Sequence, residues 1–133
     1  MKRGVWVLFF CLLLLAAGCG KTESQGPISL IGTSDGYSAA LAIAPGSVGP
    51  NTFTVTLKDQ QHQTVTGGRA TLYFAMAGME HGKSELALAS QPDGTWKGEG
   101  PHLMMGGKWQ LRLVWADEQG KSRSFAYEID LAQ

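Results

Sequence analysis

The chain has 133 residues, 44% hydrophobic and 17% charged, with 18 glycines. That length holds one domain. Basic and acidic residues balance at eleven each, with no clustered basic face, so nucleic acid is not an expected partner.

The first 19 residues differ in kind from the rest. Lys2 and Arg3 form a short positive segment, and Val5 to Leu15 is an apolar run without a charge. It is shorter than the roughly 18–20 residues that span a bilayer. Leu15-Ala16-Ala17-Gly18-Cys19 follows. Small residues ahead of a cleavage point fit the narrow pocket of a signal peptidase. An ordinary signal peptide would look similar up to that point. The cysteine directly after it makes a lipobox, in which the Cys19 thiol carries diacylglycerol and becomes the new N-terminus. Residues 1–18 are therefore expected to be a lipoprotein signal peptide. The remainder is expected at the cell membrane, on its extracytoplasmic face, attached through lipid on Cys19.

Removing residues 1–18 leaves nine basic and eleven acidic residues. That balance does not favour a basic patch on anionic lipid. The only other cysteine, Cys11, lies in the discarded segment. The mature domain then has no disulfide, no thiolate metal site and no catalytic thiol.

Residues 19–35 read as the lipidated cysteine and a flexible Gly/Ser/Thr-containing tether. Ile28–Ile31 can alternatively be read as a first edge strand. Residues 36–133 are the expected domain, with short alternating strands and frequent turn signals. Tyr37–Ala44 is the first. Asn51–Lys58 puts Phe53, Val55 and Leu57 on one face. Gly68–Met76, Ser84–Ala89 and Thr95–Gly100 follow. Gln91-Pro92-Asp93-Gly94 joins two of them as a hairpin turn, with Pro presetting the first torsion and Gly taking the left-handed one. Lys108–Ala116 alternates Trp109, Leu111, Leu113 and Trp115 against polar positions, and Ser122–Leu131 closes the chain. No window reads as a long amphipathic helix. The expected fold is all-β, an immunoglobulin-like antiparallel β-sandwich of about seven strands, with a small barrel as the second architecture.

Chemistry concentrates in two short stretches, Met76-Ala-Gly-Met79-Glu80-His81 and His102-Leu-Met104-Met105. Both are expected in connections between strands. Successive strands run up and down, so both connections leave from one pole and can form one site. Thioether sulfur and imidazole nitrogen together suit Cu(I), whereas hard cations want carboxylates. The candidate metal ligands are Met76, Met79, His81, His102, Met104 and Met105. A second reading stands beside this one. Methionine fills irregular gaps well, Met76 continues the Leu72/Phe74 alternation, and Met105 can pack on Trp109. His62 falls in a polar turn and reads as solvated. Trp96, Trp109 and Trp115 read as core. Nucleophile elbows, helical histidine pairs and phosphate-cradling loops are missing, so no enzyme activity is expected.

These residues also resemble the YtkA-like domains, which group with small copper-associated sandwich modules of the CopC and FixH kind. The resemblance spans about residues 37–116. It rests on Phe53-Thr-Val55-Thr-Leu57 before a polar turn, Val65 and Gly68 leading into a strand, Met76-Ala-Gly-Met79, Gly94-Thr-Trp96, and Met105-Gly-Gly107-Lys-Trp109-Gln-Leu111. It implies a sandwich outside the cytoplasm, often a lipoprotein, linked to copper handling or assembly of respiratory oxidases through a copper-handling or respiratory partner. Its methionine positions fall on Met76, Met79 and Met105. His102-x-Met104 is similar to the His-x-Met pair of periplasmic copper chaperones. A CopC-type N-terminal histidine is absent, which favours Cu(I). The alternative is a protein-interaction or assembly-scaffold lipoprotein without metal.

Overall fold

The structure is a computed structural model that describes residues 26–79 and 83–133. The signal peptide, Cys19, Glu80 and His81 lie outside the described residues.

Eight strands follow one another: β1 (Ile28–Ser34), β2 (Tyr37–Ala44), β3 (Gly49–Lys58), β4 (Arg69–Met76), β5 (Ser84–Ser90), β6 (Trp96–Leu103), β7 (Gly107–Ala116) and β8 (Ser122–Leu131). They form one antiparallel sheet in the order β1-β2-β3-β6-β5-β4-β7-β8. The sheet folds on itself into two layers, β1-β2-β3-β6 and β5-β4-β7-β8. The layers join where Ala89 and Ser90 of β5 pair with Lys97 and Trp96 of β6. At the other end β8 packs beside β1 and nearly closes the sheet. The all-β sandwich expectation holds, with one strand more than the seven foreseen. The extra strand is β1, which pairs with β2 along its whole length, from Ile28↔Ile43 to Ser34↔Tyr37. Residues 28–34 thus belong to the sheet and not to the tether, the alternative open for Ile28–Ile31.

Period-two alternation builds the core. Leu41 and Ile43 of β2, Phe53, Val55 and Leu57 of β3, and Leu72 and Phe74 of β4 turn inward and are almost fully buried. Leu72 and Phe74 of β4 share their layer with Leu111 and Leu113 of β7 and Phe125 of β8, and together these meet the β2 and β3 residues from the opposite layer. Trp96, Trp109 and Trp115 are core, as expected. The Tyr127 hydroxyl donates to the Ala39 carbonyl at 2.8 Å and ties the layers together. Burial pushes this phenol well above its ordinary pKa, so it remains a donor. Gly32 of β1 lies so close to this tyrosine that a Cβ there would come within 3.1 Å of its ring.

Two poles result. One holds the polar turns 35–36, 59–68, 91–95 and 117–121, where Asp59, Asp93 and Asp117 accept backbone hydrogens from within their own turns. The Gln91–Gly94 turn forms as expected, with Gly94 at φ 86° and its N–H on the Gln91 carbonyl. His62 is exposed in the 59–63 turn. The other pole holds the start of β1, the β2–β3 turn, the β4–β5 and β6–β7 connections, and the end of β8. Asn51, buried at this second pole, accepts from Gly46 N–H and donates to the Ser47 and Gly49 carbonyls. It thereby fixes the β2–β3 turn.

Candidate metal site at the methionine pole

The β4–β5 connection follows Met76, and the β6–β7 connection comprises Met104, Met105 and Gly106. Their shared pole brings Met76, Met79, His102, Met104 and Met105 around one cavity of about 380 Å³, with Lys83, Ser84, Pro101 and Trp109 completing its wall. Five of the six proposed ligands therefore converge. The sixth, His81, is outside the described residues.

The methionines differ in setting. Met76 is half-buried against the core. Met79, Met104 and Met105 are 44%, 55% and 53% exposed. Packing methionines turn their sulfurs inward; these three side chains stand at the surface. Hydrogen bonds hold the connections, among them one from Ala77 N–H to the Lys108 carbonyl at 3.0 Å. The Trp109 indole N–H donates to the Met105 carbonyl at 3.0 Å, and Met79 N–H donates to the Met76 carbonyl at 3.3 Å. The expected Met105–Trp109 relation is thus carried by the backbone of Met105.

Met76 is the last residue of β4, as the expected strand Gly68–Met76 implied, whereas His102 lies within β6 and not in a connection, which differs from expectation. β6 runs past Pro101 because the β3–β6 register shifts between Gly49 and Asn51. Proline is tolerated at such an irregularity. His102 is a wall of the cavity with a fixed setting. Its ring stacks on Phe74 with centroids 4.7 Å apart and an interplanar angle of 9°. Nδ1 lies 2.9 Å from the Ser84 hydroxyl, and the Nε2 edge lies over Gly100, where a Cβ would come within 2.8 Å of Nε2. A side chain at position 100 would displace the imidazole. The Ser84–His102 bond crosses the β5–β6 seam, whose backbone pairing is confined to the far end. Ser84, Lys83, Pro101 and Gly100 were not singled out from the sequence. The small residue two places before His102, on the same face of one strand, was the available signal.

Burial lowers the His102 pKa below its ordinary value. The unfolded chain then binds more protons than the folded one at mildly acid pH. The stabilising contribution is complete above about pH 6.5 and is lost as pH falls through the folded value. In metal-free protein the urea midpoint is expected to fall between pH 7 and pH 5, and His102→Gln is expected to flatten that slope. Parallel pH profiles for the two proteins would contradict this setting.

Among the described residues, no group of three His, Cys, Asp or Glu side chains could hold a metal. The donor set is thioether, which fits Cu(I) and not calcium, magnesium or a structural zinc. A larger groove of about 530 Å³, running past Tyr73, Arg112 and Glu128, adjoins this cavity through Lys83 and Ser84. It has no comparable set of soft donors.

The fold is an all-β sandwich with methionine side chains gathered at one pole. Residues 32–114 match the sequence model of the family described as YtkA-like. That is more than half of the chain, which belongs to the YtkA-like family. Among curated proteins, none matches it.

Proposed function

We propose that this chain is a membrane-anchored extracytoplasmic lipoprotein that binds Cu(I) at its methionine pole and delivers it to a copper-handling or respiratory protein, without catalysis of its own. The observation that carries this reading is the convergence of Met76, Met79, Met104 and Met105 on one open cavity, three of them exposed. Membership of the YtkA-like family supports an extracytoplasmic module of the copper-associated type. Thioethers carry no proton to displace, so their affinity for the ion does not depend on their own ionisation. They also persist where a thiol would oxidise. Lys83 in the cavity wall favours the monovalent ion, since its repulsion of a divalent ion is twice as large. Met79, Met104 and Met105 supply the accessible donors, Met76 backs them, and His102 shapes the wall. The lipobox at Cys19 supports attachment to the membrane.

The test is anaerobic titration of the folded domain with Cu(I) against a chromogenic chelator. Wild-type protein is expected to compete, and a Met79→Ala, Met104→Ala double variant to lose at least about tenfold in affinity, ~1.4 kcal/mol. Exposed positions tolerate truncation within about 0.5 kcal/mol, so the urea midpoint should barely move. No competition by wild type, or equal competition by the variant, would sink the metal reading. A stability loss of about 2–5 kcal/mol, typical of buried methionine truncation, would favour the metal-free scaffold.

A further inference from the structure

The chain joins the sheet at the methionine pole. Ile28 opens β1 opposite Ile43 near the end of β2. The Gly26 carbonyl lies against Gly46 of the β2–β3 turn, within 2.6 Å of where a Cβ would stand. At the same pole Gly49 pairs with Leu103, and Gly107 with Leu131. Cys19 is seven residues before Gly26. Even fully extended, such a stretch spans only about 25 Å. An anchor on Cys19 therefore holds this pole nearer the membrane than the other.

The surface is asymmetric in the same sense. Among the described residues, the exposed large hydrophobic ones are Ile31, Val48, Met79, Met104 and Met105. All but Ile31 stand at the pole where the tether arrives. Lys83 is exposed beside them, and a lysine stem can lie along apolar surface while its ammonium group reaches headgroups. The far pole exposes polar turns, with Asp35, Asp93 and Glu118 facing solvent. Clustered exposed apolar side chains mark a docking surface. The tether, through its short reach, selects the occupant.

We propose that the methionine pole docks on the lipid surface that receives the anchor, with Val48, Met79, Met104 and Met105 against the headgroup layer. The copper cavity then opens toward the membrane and not toward bulk solvent. This rests on the reading of Cys19 as lipidated.

The experiment uses the mature lipidated protein in phosphatidylcholine/phosphatidylglycerol vesicles that carry a headgroup acceptor dye. Lipidation occupies the Cys19 thiol, so Lys108→Cys and Gln119→Cys each offer one labelling site. Lys108 lies near the start of β7, a ten-residue strand that spans about 30 Å, and Gln119 lies in the turn that follows it. Energy transfer is expected to be strong from position 108 and weak from position 119. In a Met79→Ser, Met104→Ser, Met105→Ser background that still binds vesicles, the difference should shrink severalfold. Equal transfer from both labels in the unaltered pole overturns the docking, as does a difference that survives the triple substitution. Protein that leaves the vesicles and shows a reactive Cys19 thiol overturns the anchor reading, and the docking with it. That result is distinguishable because vesicle binding itself is lost.

Discussion

Replacing Phe74 by alanine is expected to lower the unfolding free energy by about 3–5 kcal/mol, the usual cost of deleting a buried phenyl ring. Phe74 is 1% exposed. It faces Leu111 across the β4–β7 ladder and Ser84 across the β4–β5 ladder. Its ring meets Phe53 edge-on at 5.0 Å and stacks on His102. The first contact belongs to the core and the second to the cavity wall, so one residue couples them. Aromatic pairs of this kind contribute about 0.5–1.5 kcal/mol beyond burial. Phe74→Leu retains much of the volume and should cost about 1.5 kcal/mol or less, while losing the stack. In that variant the His102 pKa, followed by NMR, should rise toward its ordinary value as water reaches the ring. A stability loss below about 1 kcal/mol in the alanine variant, or an unmoved His102 in the leucine variant, would show that Phe74 does not hold this end of the sandwich.

Most of the sheet was legible because alternation is a strong signal wherever one face is buried. Phe53, Val55 and Leu57, or Trp109, Leu111, Leu113 and Trp115, admit only one inward face. The failures have physical causes. In β1, Leu30 and Ile31 are adjacent and one of them must face outward; Ile31 is 76% exposed. The strand exists because its backbone completes the edge of β2, which composition does not reveal. In β6 the expected strand stopped at Gly100, before Pro101, and Gly98 and Gly100 carried no packing signal. The glycines instead leave space on the inner face, Gly98 for Leu86 and Leu88 and Gly100 for His102. Pro101 sits at the register shift, where a missing N–H is tolerated.

The convergence of the two methionine stretches was legible from strand parity alone. Their exposure was not, because a methionine at a strand end reads the same whether it packs or projects. Met76 and Met79 illustrate this: three residues apart, one leans on the core and the other is 44% exposed. The polar fastening of His102 was also hidden, since Ser84 and His102 are 18 residues apart and meet only across the unpaired part of the seam.

The same division between core and site decides the expected behaviour of Trp109. Trp109→Ala removes a side chain that is 4% exposed and should cost about 3–5 kcal/mol. That loss alone would say only that the indole is core. Trp109→Phe is the more informative change. It keeps most of the buried ring and deletes the indole N–H that holds the Met105 carbonyl at 3.0 Å. Because Met105 is 53% exposed, water can replace that donor, and the net cost should be near 1 kcal/mol. The released connection carries Met104 and Met105, so their sulfurs lose their fixed position at the cavity. Cu(I) affinity in the phenylalanine variant is therefore expected to fall severalfold or more, although the domain remains folded. If affinity is unchanged while Trp109→Ala is strongly destabilised, Trp109 acts through the core alone and the thioethers need no fastening. If affinity falls with little loss of stability, the indole N–H is the link by which the sandwich holds its methionines in place.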